Sequence, residues 1–240
     1  MNVLQLINLG SNQLKKSNIT SYNLDSEILL SKVLKKTREQ LLTNLDKKIN
    51  NIKINEFSDF IKRRSMHEPI AYILKEKEFW SKKLIITNNT LIPRPETEIL
   101  VDQLLKIYKG KRIFILDIGT GSGCILVALL SELKKSKGIG IDISKDALYI
   151  AEKNSLRHKI NEKVKFFKRS LLNFHHNKFD LIVSNPPYIN LHDLKYLERD
   201  VVNFEPKLAL NGGLDGLSEI RKVIKKSSEL IKKNGKFVLE

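Results

Sequence analysis

The chain contains one cysteine among its 240 residues. An intramolecular disulfide therefore cannot form, and a cysteine-based zinc site is not expected. The five histidines show no ligand spacing with carboxylates, so we predict no metal site. No apolar run approaches the ~18–20 residues that span a bilayer. The first residues, Met1-Asn-Val-Leu-Gln, also lack a basic segment followed by a long apolar stretch, so we expect a cytoplasmic protein without a membrane anchor.

Acidic residues are scarce relative to basic ones, and the formal net charge is +16. Lysine outnumbers arginine 34 to 9, and it is spread along the whole chain. Phosphate recognition usually brings arginine forks and a localised patch, whereas this pattern is typical of a compositional bias. The charge therefore does not favour specific nucleic-acid binding, although a diffuse positive field would speed encounter with an acidic partner such as a ribonucleoprotein.

The first 70 residues show helical periodicity only. Apolar residues recur at helical spacing in two sets, and Thr37 followed by Gln40 is a capping-box signature for a further helix. The two apolar sets are Val3, Leu4, Ile7 and Leu14, and Leu24, Ile28, Leu29 and Val33. We predict a small helical domain over residues 1–70 that docks the substrate, extended segments with a hairpin turn over residues 71–92, and a further domain over residues 93–240.

From residue 110 onward, apolar strands alternate with helical segments. This order predicts a doubly wound α/β domain, in which helices cover both faces of a parallel sheet. Ligands of such sheets bind at the carboxyl ends of the strands. The predicted strands are residues 112–117, 138–142, 164–168, 179–184 and 236–240, and the predicted helices are residues 124–133, 145–158 and 216–233.

A glycine-rich turn, Asp117-Ile-Gly-Thr-Gly-Ser-Gly, lies where a predicted strand ends and a helix begins. Its GxGxG spacing differs from the GxGxxG of dinucleotide sites, and no GK[ST] phosphate loop is present. The acidic residue before the glycines suits the positive sulfonium and ammonium groups of S-adenosylmethionine. Asp142 ends the next strand, where a carboxylate can accept both ribose hydroxyls. We therefore predict an S-adenosylmethionine site.

The segment Ser184-Asn-Pro-Pro-Tyr-Ile directly follows the apolar strand at residues 179–183. A planar amide or amino nitrogen is a poor nucleophile because its lone pair is conjugated. The Asn185 side-chain oxygen and the Pro186 carbonyl can accept the two hydrogens of such a group, and Tyr188 offers a face for stacking. The lone pair can then point at an electrophilic methyl group. We therefore predict Asn185, Pro186 and Tyr188 as the catalytic residues.

Asn-Pro-Pro-Tyr downstream of a glycine-rich turn resembles the methyltransferases that act on adenine, cytosine or glutamine nitrogen. Further segments narrow the resemblance to the protein-(glutamine-N5) methyltransferases of peptide chain release factors. These segments are Glu68-Pro-Ile-Ala-Tyr, Glu78-Phe-Trp, Leu91-Ile-Pro-Arg-Pro-Glu-Thr-Glu and Phe204-Glu-Pro. The resemblance implies a Rossmann-like fold, S-adenosylmethionine as methyl donor, and the glutamine of the GGQ motif in class I release factors as substrate, so that methylation modulates translation termination.

The resemblance assigns site residues by position. It implies that the cofactor is bound by Asp117, Gly119, Thr120, Gly121, Ser122, Gly123, Asp142, Leu171 and Asn185. It also implies that the glutamine amide is bound by Asn185, Pro186, Pro187 and Tyr188. Arg94, which lies between two prolines in a rigid loop, is a candidate for substrate binding or for a structural ion pair.

The chain departs from the family's pattern in two places. Ser170 precedes Leu171 where an acidic residue is common, and a final antiparallel pair of strands is expected beyond Glu240. Two other functions stay open at this level. One is an adenine-N6 methyltransferase of DNA or RNA, which would need a target-recognition region and a base-flipping pocket. The other is a cofactor-binding interaction protein without transferase activity.

Overall fold

The computed structural model describes residues 1–240, which form two compact units. One unit comprises Met1–Lys75 together with Arg199–Phe204, and the other comprises Glu76–Glu198 and Glu205–Glu240. None of the helices in either unit is both long enough and apolar enough to cross a membrane.

The first unit is entirely helical. It contains α1 (Val3–Lys16), α2 (Tyr22–Leu34), α3 (Arg38–Leu42), α4 (Asn51–Ser65), α5 (Ile70–Leu74) and, numbered by its place in the chain, α9 (Arg199–Phe204). The predicted capping box at Thr37 and Gln40 is confirmed, because each residue bonds the backbone N–H of the other. A second box joins Asn2 and Gln5 at the start of α1. These caps satisfy N–H groups that lack partners at helix starts.

The core of the helical unit is aliphatic with one phenylalanine at its centre. Its fully buried members include Leu6, Leu14, Leu29, Leu30, Phe57 and Ile61. The predicted faces were wrong for Leu4 and Leu24, which are 42% and 44% exposed. The buried stripe of α1 instead runs through Val3, Leu6, Ile7, Gly10 and Leu14, which is the i, i+3, i+4, i+7 pattern of a helix packed on one side.

A buried charged network joins α9 to the rest of the helical unit. Arg64 on α4 donates from Nε to Asp25 on α2 at 2.7 Å and from Nη1 to Asp200 on α9 at 2.9 Å. Arg64 is 7% exposed and Asp25 is 5% exposed. Buried charges are costly unless each is paired, so these three residues depend on one another. Asp200 therefore belongs to the helical unit although it lies late in the sequence.

The second unit is an α/β fold around a five-stranded sheet. Its strands and helices are β1 (Glu76–Phe79), β2 (Lys82–Ile85), α6 (Glu96–Tyr108), β3 (Phe114–Ile118), α7 (Cys124–Glu132), β4 (Lys137–Asp142), α8 (Lys145–Arg157), β5 (Val164–Lys168), β6 (Phe179–Ser184), α10 (Ser218–Leu230) and β7 (Ile231–Leu239). Short 3₁₀ turns lie at Leu171–Asn173, Leu194–Tyr196 and Lys207–Ala209. β1 and β2 form the predicted hairpin. The prediction of extended chain from residue 71 was wrong for residues 71–74, because they continue α5 and belong to the helical unit.

The large sheet has the order β5-β4-β3-β6-β7, and every neighbouring pair is parallel. The predicted parallel sheet is thereby confirmed. β3 lies at its centre, with the strand that follows it in the chain on one side and β6 on the other. Chain order therefore changes direction at β3, and open parallel sheets bind ligands at such a point. The apolar character of β3 and β6 follows from this position, because Leu116 and Ile182 are fully buried.

The end of the sheet differs from the sequence-based prediction. The helix predicted to reach residue 233 ends at Leu230, and β7 begins at Ile231 rather than near residue 236. Ile231 pairs with Phe179, and a register shift follows before Lys236 pairs with Leu181. The intervening Asn234 has a positive φ of 67°. A bulge of this kind interrupts the alternation of side chains, and the strand pattern is therefore hidden in the sequence.

Candidate active site

The loop that follows β3, residues 119–123, turns the chain sharply from the sheet into α7. We call it the cofactor loop. Gly119, Gly121 and Gly123 have φ values of 72°, 54° and 77°, which side chains rarely adopt. A Cβ on Gly123 would lie 3.1 Å from that of Ala151, whereas one on Gly119 would meet no atom within 4 Å. The loop is thus packed at its helix end and open at Gly119, where a ligand can approach the backbone closely.

Asp142, at the end of β4, is bonded directly to the cofactor loop. Its Oδ2 accepts from the N–H of Gly121 at 2.9 Å, and its Oδ1 accepts from the N–H of Ser144 at 2.9 Å. The carbonyl of Ile141 accepts from Gly119 and Thr120. The structure therefore brings the predicted residues after β3 and β4 into one hydrogen-bonded group, and each Asp142 oxygen keeps a lone pair for a ligand hydroxyl.

Asp117 lies beneath the cofactor loop and is 1% exposed. Burial raises the pKa of its carboxyl, the Thr120 hydroxyl, which donates to Asp117 at 2.7 Å, opposes the rise, and the nearby Asp142 adds to it, so that the pKa is about 7. Burial also raises the pKa of Asp142, against the hydrogen bonds from Gly121 and Ser144. Two buried carboxyl groups disfavour each other's charge. A ligand that carries positive charge and hydroxyls, as S-adenosylmethionine does, fits this donor and acceptor set.

The segment at residues 185–188 starts beside the cofactor loop. Ser184 ends β6 in register with Ile118, the last residue of β3, and its hydroxyl donates to the Ile118 carbonyl at 2.8 Å. Asn185 is half-buried, Pro186 is buried and Tyr188 is 54% exposed. The predicted cofactor residues and the predicted catalytic residues therefore begin at neighbouring strand ends.

Glu240 also reaches this edge of the sheet, and sequence reasoning missed it. Its backbone N–H donates to the Ser184 carbonyl at 3.1 Å. Burial raises the pKa of its carboxyl, while the side chains of Thr97 and Asn185 lower it. Its Oε2 is buried without a hydrogen-bond partner, so it can accept from a ligand. The signal was available, because Asp117, Asp142 and Glu240 all lie at or just beyond the carboxyl ends of strands in one parallel sheet.

Arg94 donates from Nη2 to Oε1 of Glu205 at 2.9 Å. Glu205 is 5% exposed, and its Oε2 accepts from the N–H of Ile92 at 3.4 Å. This ion pair ties the proline-rich loop before α6 to the segment that follows α9. The guanidinium of Arg94 thus has a structural partner, and a role in substrate binding stays a prediction.

Leu171 lies in the 3₁₀ turn after β5. Its side chain is partly buried against the sheet core and α10, whose Val223 and Leu230 belong to the same apolar cluster. Its contact with the adenine stays a prediction.

Cys124 follows the cofactor loop, and burial raises the pKa of its thiol to about 12. The thiol is therefore neutral and a poor nucleophile.

Two family models match the chain over most of its length. Residues 5–74 match the PrmC N-terminal domain, and residues 109–240 match a methyltransferase domain. The bifunctional methyltransferase of Rickettsia felis is 36% identical over 99% of this chain, and the chain spans 51% of that relative. The chain therefore covers about half the length of the bifunctional relatives it matches.

Shorter relatives match over most of their own length. The release factor glutamine methyltransferase of Buchnera aphidicola subsp. Acyrthosiphon pisum is 41% identical over 94% of this chain and 81% of the relative. That of Buchnera aphidicola subsp. Schizaphis graminum is 43% identical over 94% of this chain and 82% of the relative. With these relatives, a PrmC N-terminal domain followed by a methyltransferase domain, and the cofactor loop beside Asn185, the chain belongs to the release factor glutamine methyltransferase family.

Proposed function

We propose that this protein transfers a methyl group from S-adenosylmethionine to the side-chain amide nitrogen of the GGQ glutamine in class I peptide chain release factors, in the cytoplasm, and thereby modulates translation termination. One observation carries the proposal. Ser184 pairs in register with Ile118, so Asn185 starts beside the cofactor loop in a chain of this family. A planar nitrogen held by Asn185 would then lie next to the group that donates the methyl.

The reaction requires orientation of the substrate amide nitrogen rather than catalysis by a strong base. An amide nitrogen is a weak nucleophile because its lone pair is conjugated with the carbonyl, and bound S-adenosylmethionine supplies a strongly electrophilic methyl group. Asn185 Oδ1 and the Pro186 carbonyl accept the two amide hydrogens, which fixes the plane and stabilises the positive charge that develops on nitrogen. The ring of Tyr188 stacks against the same plane. Orientation of this type can contribute a large part of a rate enhancement.

The side chain of Asn185 can serve as an acceptor only when its oxygen faces the substrate. The Asn185 side chain lowers the pKa of the Glu240 carboxyl, and we infer that its NH₂ faces that carboxyl, because only the amide NH₂ can donate to a carboxylate. The NH₂ then faces Glu240 and Oδ1 is available on the other side. The nitrogen of the product loses its proton readily once it carries the methyl and a positive charge, so residues 185–188 need not supply a strong base.

Substrate choice needs more contacts than one glutamine side chain offers. We infer that the helical unit docks the release factor, since it carries no chemical motif and precedes the transferase domain in the family. We also infer that specific nucleic-acid binding plays no part, because the positive charge is spread along the chain as lysine rather than clustered as arginine. A short GGQ peptide should therefore be methylated with much lower kcat/KM than an intact release factor.

The test is methyl transfer from labelled S-adenosylmethionine to separate substrates: a class I release factor, its GGQ Gln→Ala variant, tRNA and duplex DNA. We expect label in the release factor alone and none in the Gln→Ala variant. Methylation of DNA or RNA in preference to the release factor would contradict the proposal and favour an adenine methyltransferase. Equal kcat/KM on a short GGQ peptide would remove the docking role of the helical unit.

Variants at the site test the mechanism. Asn185→Ala should lower the single-turnover rate by at least ~10²-fold, which is typical for the loss of one preorganised electrostatic partner. Asn161→Ala, an exposed asparagine in the turn after α8, is the matched control and should keep the wild-type rate. Tyr188→Phe keeps the stacking face and should be much milder than Tyr188→Ala. A fully active Asn185→Ala enzyme would show that the acceptor mechanism is wrong.

A further inference from the structure

The main chain that follows Pro187 is paired with a segment far downstream. The N–H of Ile189 donates to the Leu210 carbonyl at 3.1 Å, and the Ile189 carbonyl accepts from the N–H of Gly212 at 2.8 Å. The N–H of Leu191 donates to the Gly213 carbonyl at 2.9 Å. These bonds form a short parallel bridge outside the main sheet. The residues directly after the catalytic segment therefore do not form a free loop.

Two glycines of this downstream segment contact the backbone of Tyr188. A Cβ on Gly212 would lie 2.8 Å from Tyr188 Cα and 2.5 Å from the Gly216 carbonyl oxygen. A Cβ on Gly216 would lie 2.5 Å from the Tyr188 carbonyl oxygen, and the φ of Gly216 is 75°. Both glycines are buried. Real Cβ atoms essentially never approach backbone so closely, so any side chain at either position must displace the backbone of Tyr188 or of the glycine's own segment.

Residues 211–216, which we call the clamp loop, hold their own shape through local bonds. The N–H of Gly213 donates to Asn211 Oδ1 at 2.9 Å, and the N–H of Ser218 donates to the Gly212 carbonyl at 2.9 Å. Asp215 Oδ1 accepts from the N–H of Leu217 at 3.0 Å. The loop is therefore a fixed surface rather than a flexible neighbour of Tyr188.

The ring of Tyr188 is 54% exposed, so side-chain packing encloses it only in part. Its position depends chiefly on where the main chain places Cα. We propose that Gly212 and Gly216 are positioning residues, and that the clamp loop fixes the main chain of Tyr188 so that its ring faces the substrate amide. This assignment rests on the methyl transfer proposed above. It gives a role to a glycine cluster that lies outside both recognised motifs.

Three glycine variants separate steric displacement from backbone strain. Gly212→Ala tests the close approach to Tyr188 alone, since Gly212 has no positive φ. Gly216→Ala combines the approach with a positive φ. Gly110→Ala is the matched control, because Gly110 has a φ of 74° and open space around it. Each variant is assayed for S-adenosylmethionine affinity by calorimetry and for single-turnover methyl transfer to a saturating release factor.

We expect Gly212→Ala and Gly216→Ala to slow methyl transfer by about 10–100-fold, as displacements near 1 Å can do. Their cofactor affinities should stay within about twofold of wild type, since the cofactor loop is untouched, and Gly110→Ala should behave as wild type. Wild-type rates in both clamp variants would overturn the proposal. A loss of cofactor affinity that matches the loss of rate would also overturn it, because it would indicate general disruption.

A double-mutant cycle tests whether the loop acts through Tyr188. Residues that act as one unit are not additive. In a Tyr188→Ala background, Gly212→Ala should lower the rate by less than about threefold. If instead the full 10–100-fold loss recurs in that background, Gly212 does not act by positioning the Tyr188 ring.

Hydrogen exchange supplies a readout that does not depend on the substrate. The amides of Ile189 and Leu191 should exchange slowly in the wild type and in Gly110→Ala, and faster in both clamp variants. Unchanged exchange in the clamp variants would overturn the proposal. If the wild type transfers no methyl to a release factor, the proposed function fails, whereas exchange still decides whether the loop fixes this segment.

One further variant avoids steric overlap in case the glycine variants fold poorly. Asp215→Ala removes the exposed carboxylate that accepts from Leu217 and pairs with Arg221, and it adds no atom near Tyr188. It should loosen the clamp loop, speed exchange at Ile189 and slow methyl transfer several-fold. Absence of both effects would count against the proposal.

Discussion

Cofactor affinity should depend on pH through Asp117. This carboxyl is 1% exposed, and burial raises its pKa to about 7 in the unliganded protein. A neutral carboxyl offers little attraction to the positive sulfonium and ammonium groups of S-adenosylmethionine, whereas a carboxylate offers a strong one. Binding should therefore favour the ionised form and release a proton at pH values below 7.

The size of the effect follows from the pKa. If only the ionised form binds, the apparent Kd is the intrinsic Kd multiplied by 1 + 10^(pKa − pH). With a pKa of about 7, this factor is about 11 at pH 6, about 2 at pH 7 and about 1.1 at pH 8. Affinity should therefore be about tenfold weaker at pH 6 than at pH 8, which corresponds to about 1.4 kcal/mol.

Thr120→Val tests whether the Asp117 carboxyl is the group that causes the pH dependence. It removes the hydroxyl that donates to Asp117 at 2.7 Å and favours the carboxylate. The pKa of Asp117 should rise further, and the midpoint of the affinity curve should move to higher pH. Thr90→Val is the matched control, because Thr90 is equally buried but its hydroxyl donates to a backbone carbonyl, that of Thr87.

Calorimetric titration between pH 6 and pH 8, in buffers of different ionisation enthalpy, measures both the affinity and the proton release. The stability of the fold depends on pH in the opposite direction to cofactor affinity. A raised pKa stabilises the fold below the ordinary pKa of 3.8, and this stability is lost as the pH rises from there to about 7. Affinity that is flat from pH 6 to pH 8, or a midpoint unchanged by Thr120→Val, would refute the role of Asp117.

Two further predictions concern Asp142 and the buried charges of the helical unit. Asp142→Ala removes both the acceptor bonded to Gly121 and the residue predicted to bind the ribose. The affinity for S-adenosylmethionine, measured by calorimetry, should therefore fall by about 10–100-fold. Unchanged affinity would exclude Asp142 as the residue that binds the ribose. Arg64→Ala leaves Asp25 buried and unpaired, so it should destabilise the helical unit by about 3–5 kcal/mol in urea denaturation followed by circular dichroism. Asp200→Asn keeps the Arg64–Asp25 pair and should cost clearly less; equal losses would show that Asp25 does not depend on Arg64.

Local signals in the sequence predicted much of the fold. The capping box at Thr37 and the strand bounds at β5 and β6 depend on neighbours within a few residues. Errors arose where distant residues decide the outcome. Ile231 is a strand residue because it pairs with Phe179, and Leu24 is exposed although its spacing suits a buried face.

The features of the candidate site also fall into two groups, those predicted from local signals and those decided by distant residues. Asp117, Asp142 and Asn185 were predicted because each follows a strand whose carboxyl end faces the ligand side of a parallel sheet. The bond between Gly121 and Asp142, the partner of Arg94 and the approach of Gly212 to Tyr188 could not be predicted. Each joins segments that are distant in sequence, and a single sequence carries no signal for which distant segments meet.

The position of α9 has a consequence for synthesis on the ribosome. Arg64 is translated early, yet its partner Asp200 on α9 lies 136 residues later in the chain. The helical unit is therefore completed only after the second unit has been translated through β6. Domains that are continuous in sequence can fold one after another during translation, whereas this interleaved arrangement delays the first unit. We expect nascent chains arrested before α9 to be more sensitive to protease in the helical unit than chains arrested after it.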